Sequence, residues 1–196
     1  MKAQLNIRLK HYWHAGGGRD AGNVLDAVIH RDANGLPVVP GRHIKGLLRD
    51  ALERAEAWGW EGFSSLAATL FGGRAETTSA GESRPGCLRV SDGVLPSAIA
   101  GWLGSDAGSH LRPGLYRVLY VTAIEWENGV ARDHSLRGIE VTVPLDMTAR
   151  IEQIPGQDAP EDWMGRLEEI LPLIDAIGAG RSRGLGRVEL QLEVRS

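Results

Sequence analysis

Apolar residues recur at two different periods along this chain, and the order in which those periods alternate restricts its fold more than any other feature. Residues 2–13 alternate, with Ala3, Leu5, Ile7 and Leu9 set against Lys2, Gln4, Asn6, Arg8 and Lys10, which predicts a half-buried strand. Residues 41–58 switch to helical spacing, with Ile44, Leu47, Leu48, Ala51 and Leu52 on one stripe. A short second helix is predicted over 63–70 and a strand over 88–95. Residues 139–151 alternate as one long strand, with Pro144 placing a bulge or an edge inside it. An amphipathic helix is predicted over 161–177, tolerating Pro172 near its last turn, and a final strand over 185–194. Residues 24–30 read as a short extended piece, and the polar, glycine-rich 74–86 as a mobile loop. Short apolar pieces mixed with Gly, Pro and charge make 97–138 an insertion.

The resulting order is β-α-β, insertion, β-α-β, the split βαβ pattern of an α+β, ferredoxin-like (RRM-like) domain. A single such domain is expected over residues 1–196, and 42% apolar residues suffice for its core. The one cysteine, Cys87, excludes an intrachain disulfide and a thiolate-based zinc site. No run approaches the roughly 20 apolar residues of a membrane span, and residues 1–15 hold no signal-peptide core. A cytoplasmic protein without membrane contact is expected.

Charge narrows the function. The formal net charge of −3 excludes a chain-wide basic field, so a polyanion would have to be held by a local patch. Of the 22 cationic side chains only Lys2, Lys10 and Lys45 are lysines; the arginine bias suits bidentate phosphate contacts and also follows from GC-rich coding. Two segments concentrate these cations. Gly178-Ala179-Gly180-Arg181-Ser182-Arg183-Gly184-Leu185-Gly186-Arg187 alternates glycine with arginine between a helix and a strand. Such a loop can turn successive N–H groups and guanidinium forks toward a phosphodiester, or serve only as a helix C-cap with exposed arginines. Its glycines follow a helix and precede a strand, the reverse of a dinucleotide-binding loop. The second segment, Pro40-Gly41-Arg42-His43-Ile44-Lys45-Gly46-Leu47-Leu48-Arg49, opens a basic helix whose N-terminus favours an anion. Lys45 and Arg49 share one face of it, as an RNA contact or as solvated surface.

Asp26, flanked by Leu25 and Ala27, is costly to bury unless exposed, paired or bound to a metal. One carboxylate beside a phosphodiester suffices to help position Mg²⁺, and turn or salt-bridge duty is the plainer role. His11, His14, His30 and His43 lack the spacing of a helical metal site, although His14 opens the first glycine turn. Asp133-His134-Ser135 holds triad residue types that cannot converge from adjacent positions. Trp58 and Trp163, on predicted helices, read as core rather than as base-stacking groups.

Taken in order, several of these segments resemble the RAMP superfamily of CRISPR-associated proteins, most nearly the repeating backbone subunit of type III effector complexes. The resemblance runs through His14-Ala15-Gly16-Gly17, Leu25-Asp26-Ala27-Val28-Ile29, Leu36-Pro37-Val38-Val39-Pro40-Gly41, Ile44-Lys45-Gly46-Leu47-Leu48-Arg49, Leu70-Phe71-Gly72 and the Gly178–Gly186 loop. The family usually places small hydroxyl residues after the Pro-Gly, where this chain has Arg42-His43. The resemblance implies an RRM-like fold with a thumb-like insertion, here 97–138. It implies copies stacked as a filament along a CRISPR RNA, beside other effector subunits, with single-stranded target RNA paired to the guide. It implies that Asp26 is the catalytic residue and metal ligand for divalent-cation-dependent target cleavage. Guide contacts map onto His14, Arg42, Lys45, Arg49, Gly180, Arg181, Ser182 and Arg183. A non-catalytic structural subunit and a metal-independent guide-processing ribonuclease using a histidine are the alternatives.

Overall fold

The computed structural model describes residues 1–16, 27–73 and 85–195. Along the chain come β1 (Lys2–Leu9), α1 (Gly41–Ala57), α2 (Leu66–Phe71), β2 (Leu88–Val90), α3 (Ser97–Gly104) and α4 (Asp106–Ser109). They are followed by β3 (Tyr116–Val121), β4 (Arg137–Thr142), β5 (Asp146–Gln153), α5 (Trp163–Ile170) and β6 (Val188–Arg195).

Four strands form one antiparallel sheet in the order β2-β5-β1-β6, the ferredoxin-like order. The alternation of β1 accounts for its central place, because Ala3, Leu5, Ile7 and Leu9 all point to one face and are at most 2% exposed. Register Leu5↔Ala149 and Ile7↔Met147 adds β5 side chains to the same face. Ile44, Leu48, Ala51, Leu52 and Ala55 of α1 cover that face together with Trp163, Leu167 and Ile170 of α5. Each buried Leu, Ile or Met among them contributes about 1.5–3 kcal/mol.

Several expectations require correction. The long strand over 139–151 is two strands, since Pro144 has no N–H for a ladder and the chain changes sheets there. β4 pairs with β3 in a separate two-stranded sheet, while β5 lies beside β1. The helix over 161–177 stops at Ile170, followed by a 3₁₀ turn at Leu171–Leu173, because the Pro172 ring would clash with the preceding turn. The strand over 88–95 keeps its ladder only to Val90; Ser91 and Asp92 bulge out before Val94 pairs with Thr148. Trp58 ends α1 at 59% exposure, whereas Trp163 is fully buried. The short helix begins at Leu66, with Phe63 buried in the turn before it. Residues 74–84 of the glycine-rich loop lie outside the described residues. Between β2 and β5, residues 97–138 comprise α3, α4, a 3₁₀ turn, β3 and the first two residues of β4. At the far end of the β3–β4 hairpin Trp126 is 98% exposed.

Candidate nucleic-acid interface

Three segments distant in sequence meet at one end of the four-stranded sheet. Beyond β1 the chain stays extended: Lys10 N–H donates to Arg187 O at 2.8 Å, and Gly186 N–H to Tyr12 O at 2.7 Å. Trp13 and Thr142 exchange backbone bonds at 3.1 and 2.8 Å, and His14 O accepts from Ala179 N–H at 2.8 Å. The glycine–arginine loop is thereby laced to the end of the first strand. Gly178 makes this possible, with φ +91° and with its α-carbon so close to the His14 carbonyl that a Cβ would collide with it. Arg181–Arg183 then form one 3₁₀ turn with exposed side chains.

The start of α1 is pressed equally hard onto its neighbour. A Cβ on Gly41 would lie 2.6–2.8 Å from the backbone of Val90 and Ser91. Gly41 N–H donates to Asp92 Oδ1 at 2.6 Å. A carboxylate of the chain itself thus meets the first N–H of this helix.

Further side chains converge beside it. His43 reaches from α1 to the C-terminal loop, where its Nε2 accepts Gly178 N–H at 2.9 Å. Burial, and secondarily the Arg181 charge, hold its pKa below the ordinary histidine value. Two adjoining concavities share Arg42 and His43. One, of about 320 Å³, is lined by His14–Gly16, Pro40, Gly178 and Ala179; the other, of about 290 Å³, by Gly46, Leu47, Asp50 and Arg181. Asp50 is offset by its ion pair with Arg54 at 3.3 Å. His14 lines the first concavity and Arg181 the second, with Arg42 and His43 common to both, and Gly180, Ser182 and Arg183 belong to the same turn as Arg181. Lys45 lies half-buried on α1 and lines neither concavity. Arg49 is turned away, bonded to Glu53 at 2.9 Å and to the Gly72 carbonyl.

Asp26 lies outside the described residues. Its neighbour Ala27 is anchored, accepting Glu140 N–H at 3.1 Å. Glu140 is the residue sequence reasoning missed. It is 8% exposed; Oε1 meets Arg31 at 2.5 Å, Oε2 accepts Ile29 N–H at 3.1 Å, and its carbonyl accepts from His14 Nδ1 at 2.6 Å. Arg31 also stacks 4.0 Å from the Tyr116 ring centroid, and burial pushes the Tyr116 hydroxyl up to about 12. Strict alternation assigns Glu140 to the opposite face from Ile139 and Val141, which conceals it as a buried acid. Among the described residues no three His, Cys, Asp or Glu side chains gather as a metal site, and both Glu140 oxygens are already engaged.

The sheet's open face carries both charges: Arg8 pairs with Asp146, Lys10 with Glu189 and Arg89 with Glu152. A concavity of about 270 Å³ there includes Asp146, Glu189 and Glu193 against Arg8, with no aromatic platform.

The family model "RAMP superfamily" matches residues 6–189. No curated protein sequence matches. Among solved structures, the chain is similar to a subunit in a cryo-EM structure of the type III-B Cmr-beta bound to cognate target RNA. Identity is 9%, TM-score 0.73, with 98% of this chain and 97% of that one covered. A second Cmr-beta subunit, from the apo state, gives 12% identity and TM-score 0.65 over 98% and 97%. A subunit of a type IV-B CRISPR complex gives 15% and 0.55 over 100% and 93%. At these identities the likeness is one of fold. No described helix is long and apolar enough to cross a membrane.

Proposed function

Because the chain belongs to the RAMP superfamily, we propose that it grips the backbone of a CRISPR guide RNA as a subunit of a type III-like effector complex. The observation that carries this reading is the meeting of His14–Gly16, of Pro40, Arg42 and His43 at the start of α1, and of Gly178, Ala179 and Arg181 around two adjoining concavities in a chain whose net charge is −3. Arg42 and Arg181 line the second concavity, where a guanidinium fork matches phosphate. His14, Arg42, Arg181, Ser182, Arg183 and the backbone at Gly180 make the grip, with Lys45 beside it. Arg49 buttresses α1 instead. One of the similar structures is described as bound to cognate target RNA and another as a CRISPR complex, which supports an RNA-bound, multi-subunit setting. Copies would stack along the guide with 97–138 as the thumb, beside other subunits, while target RNA pairs with the exposed bases.

Cleavage of the paired target is assigned to Asp26 with Mg²⁺ or another divalent cation. The cation would neutralise charge at the scissile phosphate. Asp26 and RNA phosphate oxygens would hold it.

The test is a complex assembled from the full chain, guide RNA and partner subunits. Asp26→Ala should abolish target cleavage, as EDTA should, with guide and target binding unchanged. Arg181→Ala with Arg183→Ala should weaken guide binding by about tenfold or more. Cleavage that survives Asp26→Ala refutes the catalytic assignment, and undiminished guide binding in the arginine variant refutes the grip.

A further inference from the structure

We propose that the outer edge of β6 is an interface with a second copy of this chain, joining two protomers through an antiparallel β6–β6 pair about a two-fold axis at Leu192. Among the described strands β6 pairs only with β1, and so ends the sheet. Lys10 N–H donates to Arg187 O, whereas Leu9 N–H donates to Leu145 O on the β5 side. By the alternation of an antiparallel ladder, Glu189, Gln191 and Glu193 therefore turn their backbone groups to β1, and Leu190, Leu192 and Val194 turn theirs outward. No hydrogen bond between described residues uses those outward groups; on the same edge Val188 N–H is held by Asp175 O at 3.0 Å. A concavity of about 360 Å³ runs along this edge, lined by residues 190–193 with Glu168, Leu171 and Pro172, and by no residue of β1.

The usual devices that blunt an edge are missing from this strand. Val188–Arg195 has no proline, lysine or bulge, and its register with β1 is unbroken from Leu9 to Lys2. The opposite edge is protected, because β2 is short and gives way to the bulge at Ser91 and Asp92. Val194 is 71% exposed, and Leu190 and Leu192 are half-buried, so a strand laid there would cover apolar side chains as well as backbone. The spacing of charge selects the occupant. With Leu192 opposite its own copy, Leu190 faces the second copy's Val194 and Gln191 its Glu193, and each outward backbone group meets an outward one. Sliding the copy two residues either way sets Glu189 against Glu193, or Glu193 against itself, like charges directly opposed. Sliding it further shortens the pair or calls on Val188 N–H, which Asp175 holds. Such a pair closes at two subunits, unlike head-to-tail stacking, which is open-ended. It does not depend on the RNA-binding reading.

Sedimentation of the full chain without RNA tests this. It should find monomer at about 1 µM and a dimer at about 100 µM, a weak affinity in keeping with a small interface. Val194→Lys, at an exposed side chain, should raise the dissociation constant about tenfold. Leu192→Cys should form a covalent dimer on mild oxidation, because hydrogen-bonded partners stand about 5.5 Å apart at Cα, within disulfide reach. Gln191→Cys, displaced from its own copy along the strands, should not cross-link, and the buried Cys87 should leave wild-type protein uncrosslinked. Monomer at every concentration overturns the proposal, as does a dimer that Leu192→Cys fails to lock or that Gln191→Cys locks instead. Assemblies that grow beyond two copies overturn it as well. An unaltered dissociation constant in Val194→Lys does so independently of whether the cysteine variants fold.

Discussion

His43 joins two walls of the groove through one hydrogen bond, from Gly178 N–H to Nε2. Protonation would turn that acceptor into a donor and set a second cation beside Arg181. The folded pKa is lowered from 6.5, first by burial and then by Arg181, so the unfolded chain binds more protons as pH falls. The contribution is therefore fully present above about pH 6.5 and is lost as pH drops through the lower folded value. The melting temperature should fall between about pH 7 and pH 5. His43→Gln, whose amide oxygen can accept the same N–H, should flatten that part of the profile; an identical acid slope in both proteins would exclude His43 as its source. Sequence made His43 visible only as a residue beside the Pro-Gly turn. Its partner lies 135 positions away, and no local pattern encodes that contact.

At the scale of elements, the start of α1 shows how a short break in a strand serves a helix. β2 ends at Val90, Ser91 Oγ accepts Arg150 N–H at 2.8 Å, and Asp92 swings under the helix to accept Gly41 N–H. Asp92→Ala should cost about 1 kcal/mol, the worth of an N-cap, lowering the melting temperature by roughly 2–4 °C for a chain of this size. Asp92→Asn should recover most of it. Guide affinity of Asp92→Ala should hold or rise, because a negative charge beside the start of α1 is removed; a fall in affinity without unfolding would mean that Asp92 takes part in binding. The strand-to-helix order was legible because alternation and helical spacing are local properties of the chain. The breaks at Pro144 and Pro172 were read as tolerated irregularities, yet each ends its element. A missing N–H is most costly where the neighbouring ladder or turn has no substitute donor.

For the whole molecule, a net charge of −3 means that RNA affinity has to come from a local set of cations. With Arg42, Lys45, Arg181 and Arg183 as the phosphate contacts, binding to single-stranded RNA should weaken with a log–log salt slope of about −2 to −3. A much steeper slope would reveal a broader electrostatic surface, and a slope near zero would contradict phosphate contacts altogether. Sequence alone determined the ferredoxin-like order and the segments that carry cations and glycines, because each is written in spacing along the chain, and its ordered motifs carried the family resemblance. It also marked Asp26, which lies outside the described residues. Tertiary structure decided what no spacing holds: that Asp92 takes the helix N-terminus, that Arg49 turns to Glu53 and Gly72, and that Glu140 is buried under His14. Those outcomes depend on which backbone groups are left unpaired once the sheet and helices have packed, a condition set by the whole fold rather than by any one segment.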